Sequence, residues 1–376
     1  MTISYGFLST YPPTQCGLAT FTASLLRALT TSAPGGRAGV VRVVESPTYL
    51  DRPEVIAQLA LHSQASEEPA AAALDRHDVV IVQHEYGIYG GADGVDLLPL
   101  LRRLRSPVIV VLHTVLGRPS THQKLVLEQV VALAGAAVVM TEAARTLLLA
   151  EYDVAPDKIT VIPYGTPEGR PPRRLEPSDR PVILTWGLLG PGKGIEWAIS
   201  GLRAVRHLVP RPQYVIAGRT HPKVLTEQGE AYRLKLYARV RALGLAGLVT
   251  FERAYLEQDR LDRLIERADV VLLPYDSADQ ATSGVLVEAL AAYKPVIATT
   301  FPHAVETLSS GAGVLVPHRD GPAIGAALKR VLTEPGLAAG MHGEAKRIAQ
   351  HSGWPVVAQR YRSLAAMLLS RMPVPL

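Results

Sequence analysis

Residues 270–300 read VVLLPYDSADQATSGVLVEALAAYKPVIATT, and this stretch restricts what the chain can fold into. An apolar run, VVLLP, enters a polar loop. Thr282, Ser283 and Gly284 then open a helix that carries Glu288, and a second apolar run, PVIATT, follows. Strand, loop, helix and strand in that order make one unit of a parallel sheet, with its ligand edge where the first strand ends. The start of a helix presents unpaired backbone N–H groups and the positive end of a dipole, which suits a phosphate. Glu288 lies about one turn further in. A carboxylate there accepts hydrogen bonds from two neighbouring hydroxyls, such as those of a ribose. By itself the segment reads equally well as a capped helix with one solvated glutamate.

The same alternation runs along most of the chain. Short Val- and Ile-rich runs at 4–9, 40–44, 79–83, 108–113, 137–140 and 159–162 read as buried strands. Residues 18–30, 120–134 and 141–150 read as helices between them. A stretch rich in proline, glycine and charge, YGTPEGRPPRRLEPSDR at 164–180, interrupts the pattern and reads as a linker. Strands are then expected at 182–186, 214–217, 249–251, 270–273, 296–299 and 314–316, and helices at 195–209, 232–243, 258–267 and 323–332. The fold class is therefore α/β, with two Rossmann-like domains in tandem. Their ligand edges are expected to face a central cleft. The domains are set at 1–170, a linker at 171–180, and 181–350. A last segment, 351–376, carries an apolar helical stripe from 354 to 369.

Composition removes several function classes. Among 376 residues, 48% are hydrophobic and 19% charged, which suits a globular protein with large cores. The single cysteine, Cys16, rules out an intrachain disulfide and fits a reducing compartment. No run of about 18 apolar residues is present, and MTISYGFLSTYPP lacks a basic segment followed by an apolar one. A cytoplasmic protein without a signal peptide is expected. The net charge of +5 comes from dispersed arginines, and aromatics make up only 6% of residues, so nucleic acid is not an expected partner. Membrane contact is at most peripheral, and the sequence does not give an oligomeric state.

Several strand ends carry candidate chemistry. GLLGPGKG, from Gly187 to Gly194, nearly matches the phosphate loop G-x-x-x-x-G-K-S/T. Gly194 stands where a magnesium-holding hydroxyl belongs, which counts against a nucleotide hydrolase. What remains is a loop of glycines, Gly190 and Gly192 among them, with exposed N–H groups and Lys193. Such a loop binds a diphosphate without transferring its terminal phosphate; a tight turn with a solvated lysine is the plain alternative. Gly17, between the first strand and helix, lets backbone approach a ligand. His84, Glu85 and Tyr86 follow a buried strand, where an aromatic beside polar groups suits a sugar acceptor. No second histidine follows at zinc-protease spacing, and no metal site is expected. His113 ends another strand and is placed to donate a hydrogen bond to a sugar or phosphate. Arg219 ends a further one and is always charged, which suits the same diphosphate as Lys193, although a surface arginine in a loop is the plainer reading.

WGLLGPGKGIEWA, ADVVLLPY and TSGVLVEALAAYKPVIAT resemble the GT-B fold glycosyltransferases of family 4, the glycosyl transferases group 1. LHTVLGRP and HSGWPVVAQRY fit as well. The likeness spans nearly the whole chain and is strongest from 185 to 299. It implies a retaining transfer of a hexose, glucose or mannose, from a nucleotide sugar to a carbohydrate or other hydroxyl acceptor. UDP-glucose and GDP-mannose are both open as donors. No metal and no cofactor beyond the nucleotide sugar as co-substrate are implied. Residue by residue, it places Lys193 at the donor diphosphate, Glu288 at the nucleotide ribose, His113 at the transferred sugar and Gly17 near phosphates. Thr282, Ser283 and Gly284 fall on the donor side, and the final helix crosses back to the first domain. Two positions depart from the usual pattern. Leu188 replaces an arginine, for which Arg219 is the candidate substitute. Gln280 replaces the first glutamate of E-x7-E, as in a variant subgroup with similar Q-x-TSG and THP features, and an amide still bonds sugar hydroxyls. The alternatives are a non-catalytic sugar-nucleotide-binding protein, a P-loop-like hydrolase, or a GT-B epimerase or phosphorylase.

Overall fold

Short runs of β-branched residues, buried on both faces, become parallel strands, and the amphipathic segments between them become helices. In the computed structural model, residues 2–31, 36–61, 63–166, 180–254, 256–277 and 282–371 are described. The chain divides into two compact units, residues up to 165 together with those from 352 onward, and residues 166–351. Apart from Arg180, the expected linker at 171–180 lies outside the described residues, as does Gln280.

Unit 1 runs β1 (Tyr5–Ser9), α1 (Gly17–Thr31), β2 (Ala38–Val44), β3 (Val55–Ala60), α2 (Glu67–Leu74), β4 (Val79–His84), α3 (Leu97–Arg103), β5 (Val108–Leu112), α4 (Thr121–Leu133), β6 (Ala136–Val139), α5 (Glu142–Glu151) and β7 (Ile159–Val161). Its described strands lie in the order β3-β2-β1-β4-β5-β6-β7, all pairs parallel. Unit 2 runs β8 (Val182–Trp186), α6 (Ile195–Gly201), β9 (Gln213–Ala217), α7 (Pro222–Gln228), α8 (Ala231–Ala242), β10 (Val249–Glu252), α9 (Gln258–Arg267), β11 (Val270–Leu273), α10 (Gly284–Ala291), β12 (Val296–Thr299), α11 (Pro302–Leu308), β13 (Gly313–Val316), α12 (Gly321–Thr333) and α13 (Leu337–His351). Its sheet is β10-β9-β8-β11-β12-β13, again parallel.

In each sheet the order reverses beside the unit's first strand, at β1/β4 and at β8/β11. Ligands bind outside the carboxyl ends of strands at such a switch point. Both units therefore have the Rossmann-like fold that the alternation predicts.

The final helix, α14 (Trp354–Ser370), belongs to unit 1, as the apolar stripe and the resemblance imply. Trp354, Val357, Ala358, Tyr361, Leu364, Ala365 and Leu368 recur at helical spacing and join Phe21, Leu25 and Leu29 of α1 in one buried cluster. Burying each large side chain contributes about 1.5–3 kcal/mol.

Several elements escaped the sequence reading. β3 is a sheet edge whose first four residues are only half-buried, so it lacks the apolar run of its neighbours. α2, α3, α7 and α11 each carry a proline in the first turn: Pro69, Pro99, Pro222 and Pro302. Proline reads as a breaker, yet the first turn has no N–H bond to lose. The helix expected over 195–209 ends at Gly201, followed by a single turn to Ala204.

Candidate active site

The carboxyl edge of the unit 2 sheet gathers three of the expected loops. After β8, residues 187–194 run to α6. Leu189 N donates to Arg219 O at 2.9 Å, and His221 N donates to Leu189 O at 2.8 Å. These bonds zip the loop after β8 to the loop after β9. Gly218 sits below the zipper at φ +138, where a Cβ would lie 2.0 Å from Gly187 O. Asp276 N donates to Gly192 O at 2.9 Å, which ties in the loop after β11.

Lys193 is half-buried, with its Nζ 4.4 Å from the centroid of the Tyr275 ring. Tyr275 is buried, stacks on Phe301 at 5.0 Å, and brings its hydroxyl to 3.3 Å from Ser283 Oγ. Its carbonyl accepts from Thr299 Oγ1 at 2.6 Å and bonds His318 Nδ1 at 2.8 Å. Tyr275 is thus the post that holds Lys193 beside the start of α10. Sequence reading missed it, because only the fold brings residues 193, 275 and 283 together.

Ser283 is the N-cap of α10, with its hydroxyl accepting from Leu286 N at 3.2 Å. Its own N–H donates to Nδ1 of buried His303 at 2.9 Å. Burial holds this imidazole down at about 4, so it stays a neutral acceptor. Thr282 is buried beside Ser283. Gly192 adopts φ +88, and a Cβ there, as at Gly17, would meet no chain atom within 4 Å. A Cβ added at Gly190 would lie 3.1 Å from Val224 Cγ2.

Glu288 is half-buried on α10, and Trp186 at the end of β8 donates from its indole Nε1 to Glu288 Oε2 at 2.9 Å. Burial pushes the carboxyl up to about 7. The indole bond opposes that rise, and the negative charge of Asp262 adds to it.

Arg219 is half-buried. Burial first, and then the charges of Lys193, Lys223 and Arg219, hold the His221 imidazole below its ordinary value. That edge is therefore electropositive. Beneath it lies a residue the sequence reading passed over, Arg233 of α8, only 1% exposed. Its Nη2 donates to Gly218 O at 2.9 Å and its Nε to Glu230 Oε2 at 3.1 Å, while Thr220 Oγ1 donates to the same Glu230 oxygen at 2.5 Å. Replacing Arg233 with Met should cost about 2–3 kcal/mol in urea unfolding, because the Gly218 carbonyl and Glu230 lose a charged donor. An unchanged midpoint would show that the guanidinium does not brace the loop.

In unit 1, the carboxyl ends of β4 and β5 carry His84, Glu85, Tyr86 and His113. His113 is half-buried, edge-on to Phe21 at 4.9 Å, with Nε2 2.7 Å from Gln83 Oε1. Burial first, then neighbouring His84, lower its pKa to about 3. Burial and neighbouring His84 keep the ring neutral, and its Nε2 pairs with the Gln83 side chain. His84 is 1% exposed, so its ring is enclosed by the chain. Glu85 is half-buried and accepts from Thr114 Oγ1 at 2.6 Å and Tyr86 N at 3.0 Å. Burial pushes its carboxyl up. Tyr86 is half-buried, with its hydroxyl 3.5 Å from that of Tyr152.

The comparisons agree with this architecture. The model of "Glycosyl transferases group 1" matches residues 170–348 and that of "Glycosyltransferase Family 4" matches residues 22–170. A D-inositol 3-phosphate glycosyltransferase of Kineococcus radiotolerans is 29% identical over 62% of this chain, and the match spans 57% of that relative's length. The chain thus matches little more than half of this curated relative. Among solved structures, a sucrose-phosphate synthase of Thermosynechococcus elongatus superposes with a TM-score of 0.77 at 18% identity, covering 98% of this chain and all of that one. Anabaena HepE in complex with UDP-glucose superposes at 0.74, also at 18% identity, covering 98% of this chain and all of that one. At such identities the likeness speaks for the fold.

Proposed function

Because the chain belongs to the GT-B glycosyltransferases of family 4, the glycosyl transferases group 1, we propose that it moves a hexose from a nucleoside diphosphate sugar to a hydroxyl acceptor with retention at the anomeric carbon. One observation carries the donor assignment. Lys193, the Ser283–Gly284 helix start and Glu288 share one carboxyl edge, linked through Tyr275 and Trp186. In this reading Lys193 meets the diphosphate, and backbone N–H groups at the start of α10 add the positive end of its dipole. Arg219 supplies the second cation that Leu188 does not. Glu288 accepts the two ribose hydroxyls. The edge carrying His113, Glu85 and Tyr86 is assigned to the hydroxyls of sugar and acceptor.

The chemistry needs no protein nucleophile. The bond from the anomeric carbon to the phosphate oxygen breaks, and the acceptor oxygen bonds to the same face of that carbon. The acceptor proton passes to the leaving phosphate oxygen. Charge grows on the diphosphate as the bond breaks, so the fixed cation and helix start stabilise the transition state more than the ground state. Lys193 takes the part a divalent metal would play, and transfer is expected to survive a chelator. HepE was solved with UDP-glucose and the curated relative is named for inositol phosphate, which supports a UDP-hexose and a polyol as the first substrates to try.

A thermal-shift screen with UDP-glucose, GDP-mannose and their nucleotides tests the donor class. A ligand at a hundred times its Kd adds about 2.7 kcal/mol to apparent stability. A shift with none of them would remove the donor assignment. Glu288→Ala should weaken nucleotide binding about 10- to 100-fold by calorimetry, the worth of hydrogen bonds to a charged group. Unaltered affinity would take Glu288 away from the ribose. Anomeric couplings of the product by NMR decide retention.

A further inference from the structure

We infer that Trp186 is a positioning residue for the donor nucleotide: its indole N–H holds Glu288 as an aimed carboxylate at the switch point between β8 and β11. The inference rests on the assignment of Glu288 to the ribose. Trp186 is 6% exposed and sits at the last position of β8, immediately before the glycine loop. An indole N–H only donates, so it finds its partner in an acceptor oxygen. That partner lies 102 positions away on α10, at 2.9 Å. The bond anchors Oε2. Oε1 and the second lone pair of Oε2 are then left for two adjacent hydroxyls.

The geometry also has an electrostatic consequence. Trp186 supplies the favourable contact to the Glu288 charge, against burial and against Asp262 of α9. With the carboxyl titrating at about 7, a ribose that needs the carboxylate releases a proton when it binds near neutrality. Affinity therefore rises with pH through that range and levels off above it. Removing the indole bond raises the carboxyl further and moves the rise to higher pH. A packing role alone would not move it.

The test uses the full chain, with UDP and GDP as probes, by calorimetry from pH 6 to 9. Trp186→Phe keeps an aromatic ring in the same core. It is expected to weaken binding about 10-fold at pH 7 and clearly less at pH 9, where the carboxyl is ionised in both chains and the loss that remains is that of its aim. Glu288→Gln should leave only the titration of the nucleotide's own phosphate, near pH 6. A Trp186→Phe profile that superimposes on the parent, or one that is lowered equally at every pH, overturns the inference.

A second measurement stands even where that variant fails to fold. Tryptophan fluorescence of the unaltered chain should show a transition near pH 7 that Glu288→Gln removes. Its absence also overturns the inference. This arm needs no ligand. If neither nucleotide binds the parent chain while the fluorescence transition is present, the ribose assignment fails and the Trp186–Glu288 pair stands.

Discussion

Replacing Lys193 with alanine is expected to lower kcat/KM for sugar transfer by about 100- to 1000-fold, the cost of removing one preorganised charge from the transition state. The fold survives, because the ammonium's contact is the Tyr275 ring face, a cation–π contact worth about 0.5–1 kcal/mol. Circular dichroism and the thermal midpoint are expected to stay close to those of the parent chain. The loss falls mainly on kcat, since charge accumulates on the diphosphate as the bond breaks. Initial rates against donor concentration check the result, and unchanged turnover would remove Lys193 from the chemistry. Arginine at 193 keeps the charge but on a longer planar group, so it rescues only in part.

The second large effect is Gly194→Ser, which completes the phosphate-loop pattern. The sequence marks this position as the missing magnesium hydroxyl. The structure gives a physical reason for the glycine. Gly194 caps α6 at φ +61, and a Cβ there would lie 1.8 Å from Pro274 O. A left-handed backbone costs a side-chain-bearing residue about 1–2 kcal/mol, and overpacking adds about 1–3 kcal/mol more. The variant is expected to lose roughly 3 kcal/mol in urea unfolding, to lose transfer activity, and to gain no magnesium-dependent ATP or GTP hydrolysis. A stable variant that hydrolyses either nucleotide would revive the nucleotide-hydrolase reading.

Much of the fold was legible because parallel strands buried on both faces leave uninterrupted Val and Ile runs. Residues 182–186 and 270–273 were read to the residue. β3 was not, since a half-exposed edge strand carries no such run. The proline-started helices were missed because the residue that breaks a helix interior is harmless in its first turn. The loop at 187–194 and the turn at 282–284 could be found by spacing, which is local. Tyr275, Trp186 and Arg233 could not, because nothing near them in sequence announces a partner far along the chain.

Periodicity along the chain is enough to give the two tandem α/β units, and single side chains give the residue types that stand at their strand ends. Packing in three dimensions sets which of those groups share an edge and in what state of charge. Trp186 reaches Glu288 across 102 positions. Burial turns that carboxyl into one that titrates near neutrality and leaves His113 a neutral ring bonded to Gln83. Hydrogen-bond partners and desolvation belong to positions in space, and only the packed chain assigns them.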